Sequence, residues 1–334
     1  MTTKNTDEAT YKSISALVDQ WLLLHTGERF DLDTICRQLN LTERDARNLV
    51  TIKLAYEVKK GNLEKSKHIY IYVNKEIKNI EWFNSVSDDV LDIRFPYSHK
   101  DGTSFNFNKN VIIRPADLIV VAGVSNKGKS TFARNFLWEN MDNFPCRMMV
   151  NEYAPGRFKS VVARMDWYSP MNSDGNPKFE LIERHEEWQY AIEPDYVNIV
   201  DWINLKDNFY EIGRIMEGIQ ERLRGGICMI VLQKGEGKDL GRGGDFSRDL
   251  ASFYVSIDSG RLTVVKAKET AKYYLDGRSY GFEIVDSGAG FAGIQEVVKC
   301  PPCSGTGEKW EKGVGKTTCQ RCNGKGFIPK EEEI

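Results

Sequence analysis

Asp117 opens a short apolar run, Leu118 to Ala122, with the pattern of a strand buried on both faces. The run leads without a break into Gly123-Val124-Ser125-Asn126-Lys127-Gly128-Lys129-Ser130. From Thr131 to Glu139, Phe132, Phe136 and Leu137 share one face, which predicts a helix. Strand, G-x-x-x-x-G-K-S and helix together form the context that a phosphate-cradling loop requires. Gly123 and Gly128 let the backbone curl so that its N–H groups and the helix N-terminus face phosphates. Lys129 reaches the outer phosphates and Ser130 ligates magnesium. ATP and Mg2+ are therefore the expected cofactors, held by Gly123 to Thr131. The competing reading is a glycine-rich turn without a ligand.

Other strands of this buried type end in polar residues. Cys146 to Asn151 ends at Glu152, and Ala154-Pro155 begins a helix with Phe158, Val161, Val162 and Met165. Tyr196 to Asp201 ends in a carboxylate. A helix from Phe209 to Leu223 leads through Gly225-Gly226 to Ile227–Leu232, which ends at Gln233. Ligands of open α/β sheets bind at the carboxyl ends of the strands. Glu152 is placed there to orient an attacking water, Asp201 to hold magnesium, and Gln233 to sense a terminal phosphate. A solvated, helix-capping Glu152 is the plainer alternative.

The span from about Asp117 to Ile284, half the chain, resembles the RecA-like ATPase domains of the replicative helicase DnaB and its relatives. Gly123 to Ser130, Glu152, Asp201 and Gln233 stand at the matching strand ends. The resemblance implies a ring or filament with ATP between subunits and basic residues supplied by the neighbour. Val264-Val265-Lys266-Ala267-Lys268 fits that place, although Lys268 stands where the family has Arg, and a lysine lacks the planar fork of an arginine finger. A solvated strand face is the other reading of Lys266 and Lys268. Lys234 to Asp245, too Gly-rich to be rigid, resembles in position the DNA-binding loop of such motors, with Lys234, Lys238 and Arg242 as contacts. A disordered surface loop competes with that reading.

Ahead of this core, Tyr11 to His25 has helical spacing, with Ile14, Leu17, Val18, Trp21, Leu22 and Leu24 apolar. Asp31 can cap a short helix through Leu39, and Thr42 a second from Glu43 to about Lys53. Leu54–Val58 and His68–Val73 read as strands around a basic hairpin. The order resembles winged helix-turn-helix modules, which implies that Arg44, Arg47, Asn48 and Lys53 face DNA. A protein-docking domain with a solvated charged face is the alternative. From Asn74 to Asn110, Pro96, Gly102 and several Asn and Ser suggest a linker.

The C-terminus carries Cys300-Pro301-Pro302-Cys303-Ser304-Gly305-Thr306-Gly307 and Cys319-Gln320-Arg321-Cys322-Asn323-Gly324-Lys325-Gly326, two copies of C-x-x-C-x-G-x-G. Two such turns make a closed four-cysteine zinc site. A redox dithiol is the other reading. The repeat is similar to the zinc modules of the chaperone DnaJ, but no J-domain signature precedes it. Lys309, Lys312, Lys316, Arg321 and Lys325 suggest nucleic-acid or partner contact.

At 334 residues the chain exceeds one ordinary domain. The expected fold is α/β: a winged-helix domain over 1-75, a linker over 76-110, a RecA-like ATPase core over 111-290 and a zinc module over 291-334. A net charge of −2 confines nucleic-acid binding to local basic patches. No apolar run approaches a membrane span and no secretory signal opens the chain, so a cytoplasmic setting without membrane contact is expected. The expected function is a nucleic-acid-dependent ATPase, a DnaB-like helicase or translocase in DNA replication or recombination. Its expected partners are single-stranded DNA, duplex through the winged helix, copies of itself and a replication or recombination protein. The alternative is a non-translocating, ATP-switched DNA-binding regulator, helicase loader or recombination mediator.

Overall fold

The computed structural model describes residues 3–25, 27–73, 89–151, 155–205, 209 and 211–330. The chain divides into two compact units, Met1–Ser85 and Val86–Ile334.

The first unit holds α1 (Thr3–Leu24), β1 (Arg29–Phe30), α2 (Leu32–Gln38), α3 (Arg44–Lys60), β2 (Leu63–Ser66) and β3 (Ile69–Tyr72). Asp31 caps α2 as expected, its carboxylate accepting the Thr34 amide at 2.8 Å. The residue at the cap of α3 is Glu43 rather than the expected Thr42, and it makes no side-chain cap bond. The helix then runs past Lys53 and stops only at Gly61, a left-handed residue with φ 75°. Leu54–Val58, expected as a strand, is thus the end of α3, where Leu54 joins Val50, Val18, Trp21 and Ile35 in the core. The hairpin lies later, between β2 and β3, and β1 pairs with β3 to give the antiparallel order β1-β3-β2.

Burial sorts the lysines and arginines expected to face DNA. Arg44 and Asn48 are exposed. Arg47 is ion-paired with Asp33. Lys53 is buried, its Nζ 2.7 Å from both Asp19 and Glu57, so its ammonium is engaged inside the unit and not presented at the surface expected to face DNA.

In the second unit the chain joins the main core from Ile93 on. Phe95, Phe105 and Phe107 are each 1% exposed in the main core. Asn140 clamps the Arg94 amide and carbonyl at 3.0 and 2.7 Å. The expected linker therefore does not reach Asn110, and residues 76–88 lie outside the described residues.

The core elements are β4 (Leu118–Gly123), α4 (Lys129–Asn140), β5 (Cys146–Val150), α5 (Pro155–Val162), β6 (Phe179–Glu183), β7 (Val197–Ile203), α6 (Glu211–Gln220), β8 (Ile227–Gln233), α7 (Asp245–Asp249) and β9 (Phe253–Asp258). After them come β10 (Arg261–Ala267), β11 (Ser279–Val285), β12 (Gly290–Lys299), β13 (Glu308–Glu311), β14 (Gly315–Thr318) and β15 (Phe327–Pro329). Ten of these strands form one mixed sheet in the order β15-β12-β11-β10-β9-β4-β8-β7-β5-β6. Strands from β9 to β6 run parallel, and those from β9 to β15 pair antiparallel. Helix α4 packs Phe132 and Phe136 on one face, and α6 packs Ile212, Met216 and Ile219 on the other. The whole of β4 is buried, as a strand covered on both faces must be. The coarse expectation of an α/β fold is met.

The expected boundary at 290/291 falls at the start of β12, which carries the sheet on to Lys299. Val297, Val298 and Lys299 pair with Pro329, Ile328 and Phe327 of β15. The cysteine segment is therefore sewn to the main sheet by its last strand and is not a separate tail. No described helix is long and apolar enough to cross a membrane.

Candidate active site and candidate metal centre

The loop between β4 and α4 is shaped by backbone constraints. A Cβ on Gly123 would lie 2.9 Å from the Ile257 carbonyl oxygen and 2.7 Å from Lys129 Cγ. Gly128 has φ 108° and stands at the N-cap of α4 without a side-chain cap. The helix N-terminus thus opens on the loop with no cap from its Gly128 N-cap residue, a geometry suited to an anionic group. Lys129 Nζ donates to the Val124 carbonyl at 2.8 Å, which folds the ammonium over the loop. Ser125 and Asn126 are exposed, while Val124 and Lys127 are half-buried. The Thr131 hydroxyl donates to the Gly288 carbonyl at 3.0 Å, which ties it to the turn before β12.

The parallel register brings the other candidates to the same edge. Asp201 is 2% exposed, and its carboxylate accepts the Ser130 hydroxyl at 3.1 Å. These two oxygen-bearing side chains, far apart in sequence, could share a divalent cation. Gln233 pairs in register with Gly123, one strand in from β7. Glu152 lies outside the described residues. A cleft of about 1340 Å³ opens beside Val124 and Lys127, with Asp258, Arg261, Phe282 and Phe327 also in its walls.

The segment after Gln233 differs from the loose basic loop expected. Its glycines make close contacts: a Cβ on Gly241 would fall 2.9 Å from Leu232 Cβ, and one on Gly243 2.2 Å from Ile212 Cγ2. The Gly241 amide donates to Tyr254 Oη at 2.7 Å, and the Arg242 amide to the Gln233 carbonyl at 2.8 Å. The Lys234 side chain is fully buried, 2.7 Å from Asp258 and 2.7 Å from the Lys238 carbonyl, so its ammonium is engaged within the chain and not presented at the surface. Lys238 and Arg242 are exposed. Lys266 is also engaged within the chain, donating to the Arg248 and Asp249 carbonyls at 3.0 and 2.8 Å at the end of α7, where burial lowers its pKa. Lys268 is exposed.

Asp258 was missed from the sequence, although it ends an apolar run, Phe253 to Ile257, as Asp201 does. It bridges Lys234 and, at 2.8 Å, Arg261, whose guanidinium stacks on the Phe327 ring at 3.9 Å. Burial works to raise the Asp258 pKa, but hydrogen bonds from Lys234 and Arg261 outweigh it and hold the carboxyl below its ordinary 3.8. Stability from this bridge is complete above that unfolded value and is lost as pH falls through the lower native one. Lys234→Ala leaves Asp258 with one partner and is expected to cost about 3 kcal/mol in urea unfolding at neutral pH. A cost within error of zero would mean that the bridge adds nothing.

At the C-terminal end the four cysteines of the two turns converge. Their sulfurs all lie within 4.8 Å of one another, Cys300 and Cys319 being 3.8 Å apart and Cys303 and Cys322 3.7 Å. The two halves mirror each other. Gly307 and Gly326 amides donate to Cys303 and Cys322 sulfurs at 3.3 and 3.2 Å, while their carbonyls accept the Cys319 and Cys300 amides. Both glycines are obligatory: a Cβ would meet the facing carbonyl oxygen at 2.2 or 2.4 Å. Burial works to raise the Cys303 thiol, yet amides of Gly307 and Gly305 bring it down to about 6. Burial pushes Cys300 up to about 12. A buried all-sulfur cluster with amide donors could hold a metal ion.

No protein-family model matches this chain, and no curated protein matches it significantly.

Proposed function

We propose that this chain is a P-loop nucleoside triphosphatase, an ATPase on a RecA-like core whose turnover is governed by a nucleic acid. The observation that carries the reading is one juxtaposition at the edge of the sheet. A glycine-curled loop meets an uncapped helix N-terminus, with Lys129 folded over it and Ser130 3.1 Å from Asp201. In this reading the loop amides from Val124 to Lys129 bind the phosphates, and Lys129 neutralises the outer ones. Ser130 and Asp201 would hold Mg2+, which supplies charge neutralisation to the phosphoryl oxygens. Gln233 and Glu152 would orient the attacking water, and the neighbouring cleft has room for a base and sugar. For the cysteines, a tetrahedron of 2.3 Å metal–sulfur bonds has edges of about 3.8 Å, which favours structural zinc.

The helicase or translocase form of this reading draws support from exposed Lys238 and Arg242 after Gln233. The first unit's three helices and antiparallel hairpin are also consistent with a winged-helix DNA reader. The regulator form, an ATP-switched clamp, loader or mediator, is favoured by one observation: Lys266 is held by its own chain, which leaves only Lys268 of that pair to reach a neighbour. A ring or filament, and a replication or recombination partner, belong to the first form.

The experiment is ATP turnover of the wild type alone and with single-stranded DNA, duplex DNA or RNA. A rise of tenfold or more with one polymer is the expected outcome. Turnover indifferent to every polymer would remove the nucleic-acid half of the reading, and strand displacement separates the motor from the clamp.

A further inference from the structure

The hairpin β13–β14 lies between the two cysteine turns and contributes no sulfur to the centre. Trp310 is 78% exposed and Val314, in its turn, 73%. An indole left in water gives up the burial that normally decides where tryptophan sits. Its platform is fixed at both ends by the cysteine cluster, because the Gly307 amide bonds Cys303 just before β13 and the Cys319 amide bonds the Gly307 carbonyl just after β14.

Register places Trp310 directly opposite Lys316, so the two share one face of the hairpin. Lys316 is 3.0 Å from Glu308, two residues before Trp310 on that face. Lys309 precedes the indole, and Lys312 begins the turn; both are exposed. From Cys300 to Lys330 there are six Lys and Arg against two Glu, in a chain of net charge −2. An exposed aromatic face beside several cations matches a stacked base with phosphates on either side.

We propose that the cysteine-anchored hairpin is a single-stranded nucleic-acid site, in which one base stacks on Trp310 while Lys316 on the same face and Lys312 at the turn receive the flanking phosphates. The site deepens the nucleic-acid reading given above and rests on it for the class of ligand.

The test uses the full, zinc-loaded chain and a fluorescein-labelled oligo(dT) read by anisotropy. Wild type, Trp310→Ala and Trp310→Phe are compared, with metal content and melting temperature measured for each. Trp310→Ala is expected to bind about 5- to 150-fold more weakly, with Trp310→Phe recovering most of the loss and all three keeping their metal. Equal affinity of wild type and Trp310→Ala overturns the hairpin site. If oligo(dT) still raises wild-type turnover in that case, the ATPase reading stands. Absence of oligo(dT) binding by the wild type overturns the site, and so does competition in which an unfolded polypeptide displaces the oligonucleotide.

Discussion

Lys129→Ala is expected to lower ATP turnover by about 10²- to 10³-fold, the usual loss when one preorganised donor to a developing phosphoryl charge is removed. The lysine is 9% exposed and begins α4, and its Cγ lies against Gly123. Truncation therefore removes an ammonium that donates to the Val124 carbonyl, a contact within the loop that a phosphate would displace. The sheet and α4 owe their packing to Phe132, Phe136 and the buried β4, so the melting temperature should move by a few degrees at most. Turnover is measured at saturating ATP and magnesium. A variant that melts like the wild type and turns over at the wild-type rate would sink the assignment of this loop.

Metal removal should have the larger effect on structure. The cysteine segment has almost no apolar core of its own: besides the four cysteines, its cluster contains Ile328 and half-buried Val298. A zinc–thiolate site in so small a module supplies about 10–16 kcal/mol of apparent binding free energy, and that energy is what folds it. Chelation, or Cys319→Ser, is expected to unfold residues 300–330, detach β15 from β12 and open the segment to protease, while the parallel strands stay protected from hydrogen exchange. One metal per chain should be found. Because the ligands bind as thiolates, apparent metal affinity should fall steadily as pH drops and protons compete for the four sulfurs. A metal-free chain whose residues 300–330 resist protease equally well would refute a structural metal. Detachment would also leave β12 as an unpaired edge, so the stripped protein should aggregate more readily.

What the sequence made legible was local. The loop residues and the C-x-x-C pairs announce themselves because their chemistry is written in consecutive positions, and the structure brings the four sulfurs together. The strands β4 and β8 were legible as unbroken apolar runs, and β5 and the part of β7 before Asp201 as runs broken once, by Arg147 and by Asn198. The lysines were not. Lys53 and Lys234 looked like surface charges, and their burial depends on Asp19 and Asp258, carboxylates that only the tertiary fold brings to 2.7 Å. Leu54–Val58 was misread because a buried helical turn and a short strand present the same apolar letters. Gly61, behind Lys59 and Lys60, was the available stop signal. The glycines from Gly235 to Gly244 suggested looseness, where Gly241 and Gly243 instead permit backbone to press against Leu232 and Ile212. Glu152 lies outside the described residues, so its part in the site rests on the sequence alone.

The central place of β4 has a consequence for how the protein is made. Leu118 pairs with Cys228 and Ile119 with Phe253, so both neighbours of the strand that carries the glycine loop are synthesised more than a hundred residues after it. On the ribosome this strand waits as an apolar segment until β8 and β9 have left the exit tunnel, exposed meanwhile to whatever captures nascent hydrophobic chain. The first unit, whose described elements end at Tyr72, can fold during that wait. Nascent chains released before Asp258 should accordingly carry a folded N-terminus and an unformed glycine loop.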